Sequence, residues 1–198
     1  VHVYLGPFSG DRSYADHDAT VRGTRTEDFL GGGFTAESDV DGDGTKELVV
    51  LQGTGPESWG SANGSVHLFS ASDLSGRVLV EADDAYASLY ATTSDSWEHS
   101  DVEVLDDLDG DGTREIMIGV PLSDAGGTES GQLFLVSGRI EGAHDLEEIA
   151  SVHSGEAGSQ LGREITLADI DADGVNEVLV SASGASQVYG IPQSILLE

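Results

Sequence analysis

Three nine-residue segments hold most of the chemistry this chain offers: DVDGDGTKE at 39–47, DLDGDGTRE at 107–115 and DIDADGVNE at 169–177. All follow the pattern D-x-D-x-D-G-x-x-E. Carboxylates at the first, third and fifth positions can turn inward on a tight loop, and the glycine at the sixth permits the sharp bend. The seventh residue contributes only its backbone carbonyl, so Thr45, Thr113 and Val175 are free to differ. The glutamate at the ninth position can close the shell with one or two oxygens. Several carboxylates plus a carbonyl suit Ca²⁺; Mg²⁺ keeps waters and demands a tighter octahedron, and zinc wants histidine or cysteine. The expected ligand sets are Asp39, Asp41, Asp43, Thr45 and Glu47; Asp107, Asp109, Asp111, Thr113 and Glu115; and Asp169, Asp171, Asp173, Val175 and Glu177. An EF-hand would need a glutamate at position twelve, where Val50, Ile118 and Val180 stand instead, so that loop type is rejected. A single loop of this kind can equally be an ion-free turn. Three of them, each with four carboxylates in nine residues, carry a repulsion that a cation relieves.

Other reactive types give no constellation. The histidines are His2, His17, His67, His99, His144 and His153, and none pairs with another at metal-ligand spacing. His2 and His67 occupy equivalent places in a Val-His strand pattern, which favours a strand-facing role. Ser9, Ser123 and Ser154 lie near glycines without forming a nucleophile elbow. A carboxylate pair for sugar hydrolysis is uninformative in a chain with 37 acidic residues, where any pairing arises by abundance. The chain therefore reads as a non-enzyme. Trp59, in the insert at 53–63, is the candidate ligand-binding residue, and packing over a sheet edge is its bland reading. Residues 63–65 match an N-glycosylation pattern of low specificity.

The composition narrows the class of protein further. Against 37 acidic residues stand 8 Lys and Arg, for a net charge of −29, which argues against a nucleic-acid groove or docking onto anionic lipid. A hydrophobic share of 38% supplies a core for the 198 residues, so wholesale disorder is excluded. The 27 glycines suit many turns between short elements. With no cysteine, disulfides and thiolate chemistry are ruled out. No apolar run is long enough for a spanning helix. The chain starts at Val1 in mid-pattern without a signal peptide and reads as processed or excised from something longer. So acidic a surface resembles that of a protein from a saline setting.

The elements that must position the loops repeat with them. The first aspartates are separated by 68 and then 62 residues, and a second apolar segment follows each loop. Strands are predicted at 47–52 and 65–70, 115–120 and 132–137, and 177–182 and 186–190. Shorter ones at 33–38, 102–106 and 164–168 lead into the loops, and fourth strands are expected at 76–81 and 146–152. Residues 82–91 come nearest to helical spacing. At the start, 1–4 and 18–22 read as a third and a fourth strand; 195–197 is a further strand candidate. The fold class is all-β, a partial β-propeller of four-stranded antiparallel blades, about three to three and a half of them, with each loop between first and second strands. Residues 1–24 would be the last two strands of one blade, followed by blades at 25–82, 83–155 and 156–198. A β-sandwich is the competing architecture.

At this point the chain resembles the FG-GAP repeats of integrin α-subunit-type β-propellers and their secreted bacterial or archaeal relatives. The loops match in every ligand position. Leu161-Gly162, and Leu30-Gly31 with Phe29 beside it, stand where that family has Phe-Gly; Trp97-Glu-His-Ser100 lacks the pair. Gly119-Val-Pro121 matches the Gly-Ala-Pro element, 53–56 is stretched, and 181–183 lacks both its glycine and its proline. The resemblance implies a seven-bladed ring in the complete protein, three Ca²⁺ ions, and a location outside the cell or on its surface. It implies a binding or adhesion module whose ligand is a protein or a glycan. An ancillary domain of a larger secreted enzyme and a purely structural unit are the alternatives. Open blade edges call for a second copy, or further blades of the same polypeptide, to close the ring.

Overall fold

A computed structural model describes residues 1–4, 10–11, 13–23, 29–36, 38–53, 64–75, 79–91 and 97–196. The architecture is all-β, with 43% strand against 12% helix, arranged as several sheets of which none closes into a barrel. Two central strands, β4 (Leu48–Gln52) and β9 (Glu115–Val120), are buried along their whole length. Both are near-continuous apolar runs, as strands covered on both faces must be. Alternation sends successive side chains to opposite faces. Thus Val49 and Leu51 join one cluster with Ile116, Ile118 and Phe134, while Leu48 and Val50 join another with Val21, Phe69 and Val80. Met117 points the other way again, into a third cluster with Leu133, Leu135, Ile165, Val178 and Val180. Four sheets are therefore stacked face to face, with a separate core between each neighbouring pair.

The sheets share a plan. In the second, β3 (Phe34–Thr35), β4, β5 (Ser65–Phe69) and β7 (Ala87–Tyr90) run antiparallel in that order. In the third, β8 (Asp101–Val104), β9, β10 (Gln132–Ser137) and β12 (Ser151–Ser154) do the same. The fourth has β13 (Leu161–Ala168), β14 (Glu177–Ala182) and β15 (Gln187–Pro192). The first pairs β1 (His2–Val3) with β2 (Ala19–Arg22). The first strands β3, β8 and β13 lie side by side. Asp101 ties two of them together, its Oδ2 accepting the Ile165 N–H at 2.8 Å.

The fourth strand of the second sheet, β7, comes after 76–81, and that of the third, β12, takes up only the last two residues of 146–152. Of the first segment, 76–78 fall outside the described residues, and β6 (Leu79–Glu81) leaves its own sheet to pair in parallel with β2 of the preceding one. A 3-10 turn, Ala82–Asp84, then returns the chain to β7, within the stretch that came nearest to helical spacing. Likewise β11 (Gly142–Asp145) pairs in parallel with β7, and Leu146–Ile149 is a helical turn capped by Asp145 rather than a strand. Each such strap clips one sheet to its neighbour before the outer strand begins. Residues 193–195 form a 3-10 turn rather than a strand, and 197 lies outside the described residues.

Candidate metal centres

Each acidic loop joins the first strand of its sheet to the second, and the three loops repeat one hydrogen-bond scheme. The first aspartate accepts the N–H of the sixth-position glycine: Asp39 from Gly44, Asp107 from Gly112 and Asp169 from Gly174, each at 3.0 Å. The third-position aspartate accepts the N–H of the fifth, in Asp41–Asp43, Asp109–Asp111 and Asp171–Asp173, at 2.9–3.1 Å. The fifth accepts the N–H of the seventh, from Thr45, Thr113 and Val175, at 2.7–2.8 Å. Last, the ninth-position glutamate closes the loop with its Oε2, which accepts the N–H of Val40, Leu108 or Ile170 at 2.7, 2.7 and 3.0 Å. These bonds orient the carboxylates; Asp107 and Asp169 accept on both oxygens, Asp107 also from the Gly110 N–H at 2.7 Å and Asp169 also from the Asp173 N–H at 3.1 Å.

The clusters so oriented can hold an ion. One carboxylate oxygen each from Asp39, Asp41 and Asp43, from Asp107, Asp109 and Asp111, and from Asp169, Asp171 and Glu177 lie within 4.8 Å of one another. In the first loop Asp39 Oδ1 is buried and has no hydrogen-bond partner, a costly state for a carboxylate oxygen. The donors are all oxygens, a set compatible with calcium. Glu47, Thr113 and Glu115 are buried; Asp39, Asp41 and Glu177 are half-buried; the other sequence-predicted ligands are exposed. Trp59 lies outside the described residues.

The electrostatics show how closely these carboxylates crowd one another. Burial pushes the Glu47 carboxyl above its ordinary range; the Val40 N–H opposes this, and the charges of Asp41, Asp43 and Asp39 add to it. Glu115 is raised in the same way by burial, with Leu108 opposing and Asp109, Asp107 and Asp111 adding. Asp43 and Asp111 go the other way, held low by the hydroxyl and then the amide of Thr45 and Thr113.

Three features escaped the sequence reading. Tyr86, on the approach to β7, has a buried hydroxyl without a hydrogen-bond partner. Burial raises its pKa, and the nearby charges of Glu47, Asp41 and Asp43 raise it further. Gln193 bridges the second and third loops: it accepts the Asp106 N–H at 3.1 Å and donates to Asp106 Oδ2 and the Asn176 carbonyl, both at 2.8 Å. Arg114 donates to the same Asp106 at 3.1 Å. Asp106, Arg114 and Asn176 line a cavity of about 670 Å³ between the first strands, with Phe34 and Leu167 also on its wall. No sequence signal marks Tyr86 or Gln193, because neither belongs to a repeat.

His67 and His2 behave as strand residues. His67 is buried between Ser65 and Ser88, with ring nitrogens 2.9 Å from each hydroxyl, and His2 meets Thr20 at 3.0 Å. The segment at 97–100 does hold a counterpart of the missing glycine. Strand register aligns His99 with Gly31 and Gly162, and it takes the same left-handed turn, φ 65° against 92° for both glycines. No helix among the described residues is long and apolar enough to cross a membrane. No protein-family model matches the chain, and no curated protein matches its sequence.

Proposed function

We propose that the chain is a section of a β-propeller of FG-GAP type, a calcium-stabilised extracellular binding or adhesion module whose ligand is a protein or a glycan. The observation that carries this reading is the threefold recurrence of one loop, at one place in three sheets, with one shared internal bonding scheme and its carboxylates gathered together. The ions would be held by Asp39, Asp41, Asp43, Thr45 and Glu47 and by the matching residues of the other two loops. Bound there, each would neutralise a carboxylate cluster and staple the first strand of a sheet to its second. The common order of strands and the adjacency of β3, β8 and β13 favour blades around one axis over a two-sheet sandwich. In this reading the module is non-catalytic, and further repeats or a second copy complete the ring.

Metal dependence is the direct test. An ion bound by the folded chain alone stabilises it by linkage, by about 2.7 kcal/mol per site at a hundredfold excess over Kd. The melting temperature should rise clearly from EDTA to millimolar calcium, and magnesium at equal concentration should give much less. Equal melting curves in calcium and in EDTA would sink the reading. Retention of a glycan or protein from an array without turnover is the expected binding result. Reproducible turnover by pure protein, lost on a carboxylate change outside the three loops, would overturn the non-catalytic assignment.

A further inference from the structure

The first two loops touch, and the group through which they touch belongs to both. The Arg114 N–H donates to the Val40 carbonyl at 2.9 Å. That N–H is one end of the Thr113–Arg114 peptide, whose other end is the Thr113 carbonyl, the seventh-position donor of the second loop. The Val40 carbonyl lies in the peptide joining Val40 to Asp41, between two donors of the first loop. The Val40 N–H is in turn held by Glu47 at 2.7 Å. A second contact reinforces the first: Gly42 lies so close to the Gly112 carbonyl oxygen that a Cβ on it would overlap that atom. Gly112 is the residue whose N–H orients Asp107. Between the second and third loops the link is of another kind. There Gln193 joins Asp106, which precedes the second loop, to the Asn176 carbonyl.

We propose that the loops at 39–47 and 107–115 bind calcium cooperatively, coupled through the Thr113–Arg114 peptide, while the loop at 169–177 binds independently. The inference rests on the calcium reading above. A cation drawing on the Thr113 carbonyl polarises that peptide and strengthens its N–H as a donor. The strengthened bond fixes the Val40–Asp41 peptide, so the first loop is ordered before its own ion arrives and loses less entropy on binding. By linkage the effect is mutual, and coupling of this sort is commonly worth about fivefold or more in affinity.

Each loop has its own reporter, the amide of the sixth-position glycine. Calcium titration of the ¹⁵N-labelled full chain, followed at Gly44, Gly112 and Gly174, separates the sites. Gly44 and Gly112 should shift together and more steeply than a single-site isotherm, and Gly174 should follow a single-site curve. Asp109→Asn with Asp111→Asn should weaken binding reported by Gly44 by about fivefold or more and leave Gly174 unchanged; Asp41→Asn with Asp43→Asn should weaken binding reported by Gly112 by the same factor. Independent single-site curves for Gly44 and Gly112 in the unaltered chain would overturn the coupling and leave the calcium reading standing. No response at any of the three glycines would remove the calcium reading itself. The unaltered chain decides the matter even where a variant does not fold.

Discussion

Ala172 is the one residue in the three loops that the local backbone does not suit. It occupies the fourth position with φ 63°, where Gly42 and Gly110 have φ 77°. A side chain there costs about 1 kcal/mol against glycine, so Ala172→Gly should raise the unfolding free energy by about that much, read by urea denaturation in calcium. The reverse change separates the other two loops. A Cβ on Gly110 meets open space and one on Gly42 meets the Gly112 carbonyl. Gly110→Ala should therefore cost about 1 kcal/mol and Gly42→Ala about 2–4 kcal/mol, the excess being overpacking. The buried glutamates make a pH prediction. With Glu47 and Glu115 raised from 4.5 in the folded state, folding takes up protons in calcium-free buffer. Their contribution is fully present below the ordinary glutamate value and is lost as pH rises through the raised one. Melting temperature in EDTA should fall with rising pH above 4.5. Glu47→Gln with Glu115→Gln should flatten that slope; an identical slope in the double variant would exclude these residues as its source.

At the scale of strands and sheets, contact between backbones sets the limits. A Cβ on Gly119, in β9, would overlap the Gly162 carbonyl of β13, so the third and fourth sheets approach there with nothing between them. Gly119→Ala should cost about 3 kcal/mol and broaden amide signals along both strands; an unchanged urea midpoint would show that the sheets can part at no cost. The central strands were legible because each is apolar on both faces, and the loop ligands because chemistry fixes their spacing. The outer strands were not. Residues 79–81 have strand character, but nothing in them tells that they pair with the preceding sheet, since pairing partners are chosen in three dimensions and not by local pattern; 142–145, Gly-Ala-His-Asp, lack even that character. The same limit hid His99, whose left-handed turn before β8 has no glycine to mark it, although histidine is among the residues that tolerate that conformation. Arg114 showed the complementary case: its place in the loop could be read, but its bond to Val40 could not, because it joins residues 74 positions apart.

For the molecule as a whole, the straps and the charge pull in opposite directions. The outer strand β2 is covered by β6, and β7 by β11. Among the described residues no strand pairs with the corresponding edge of β12, and β15 has no fourth strand beyond it. Val188 is 69% exposed and Tyr189 44% on that last strand. Such edges invite pairing with a further strand of the same pattern. Against every association, and against the compact fold itself, acts a net charge of −29. Calcium at three loops would offset only part of this charge, since the rest of the acidic residues lie outside the loops. Mobile ions must do the remainder: screening shortens the reach of like charges from about 30 Å at 0.01 M salt to about 3 Å at 1 M. With free calcium fixed at saturation, the unfolding midpoint should therefore climb as NaCl rises from about 0.01 M to 1 M. Sodium competing at the loops would lower the midpoint instead, so the direction of change separates long-range repulsion from loss of the bound ions. A flat response would mean that the acidic surface serves solubility and puts no load on the fold.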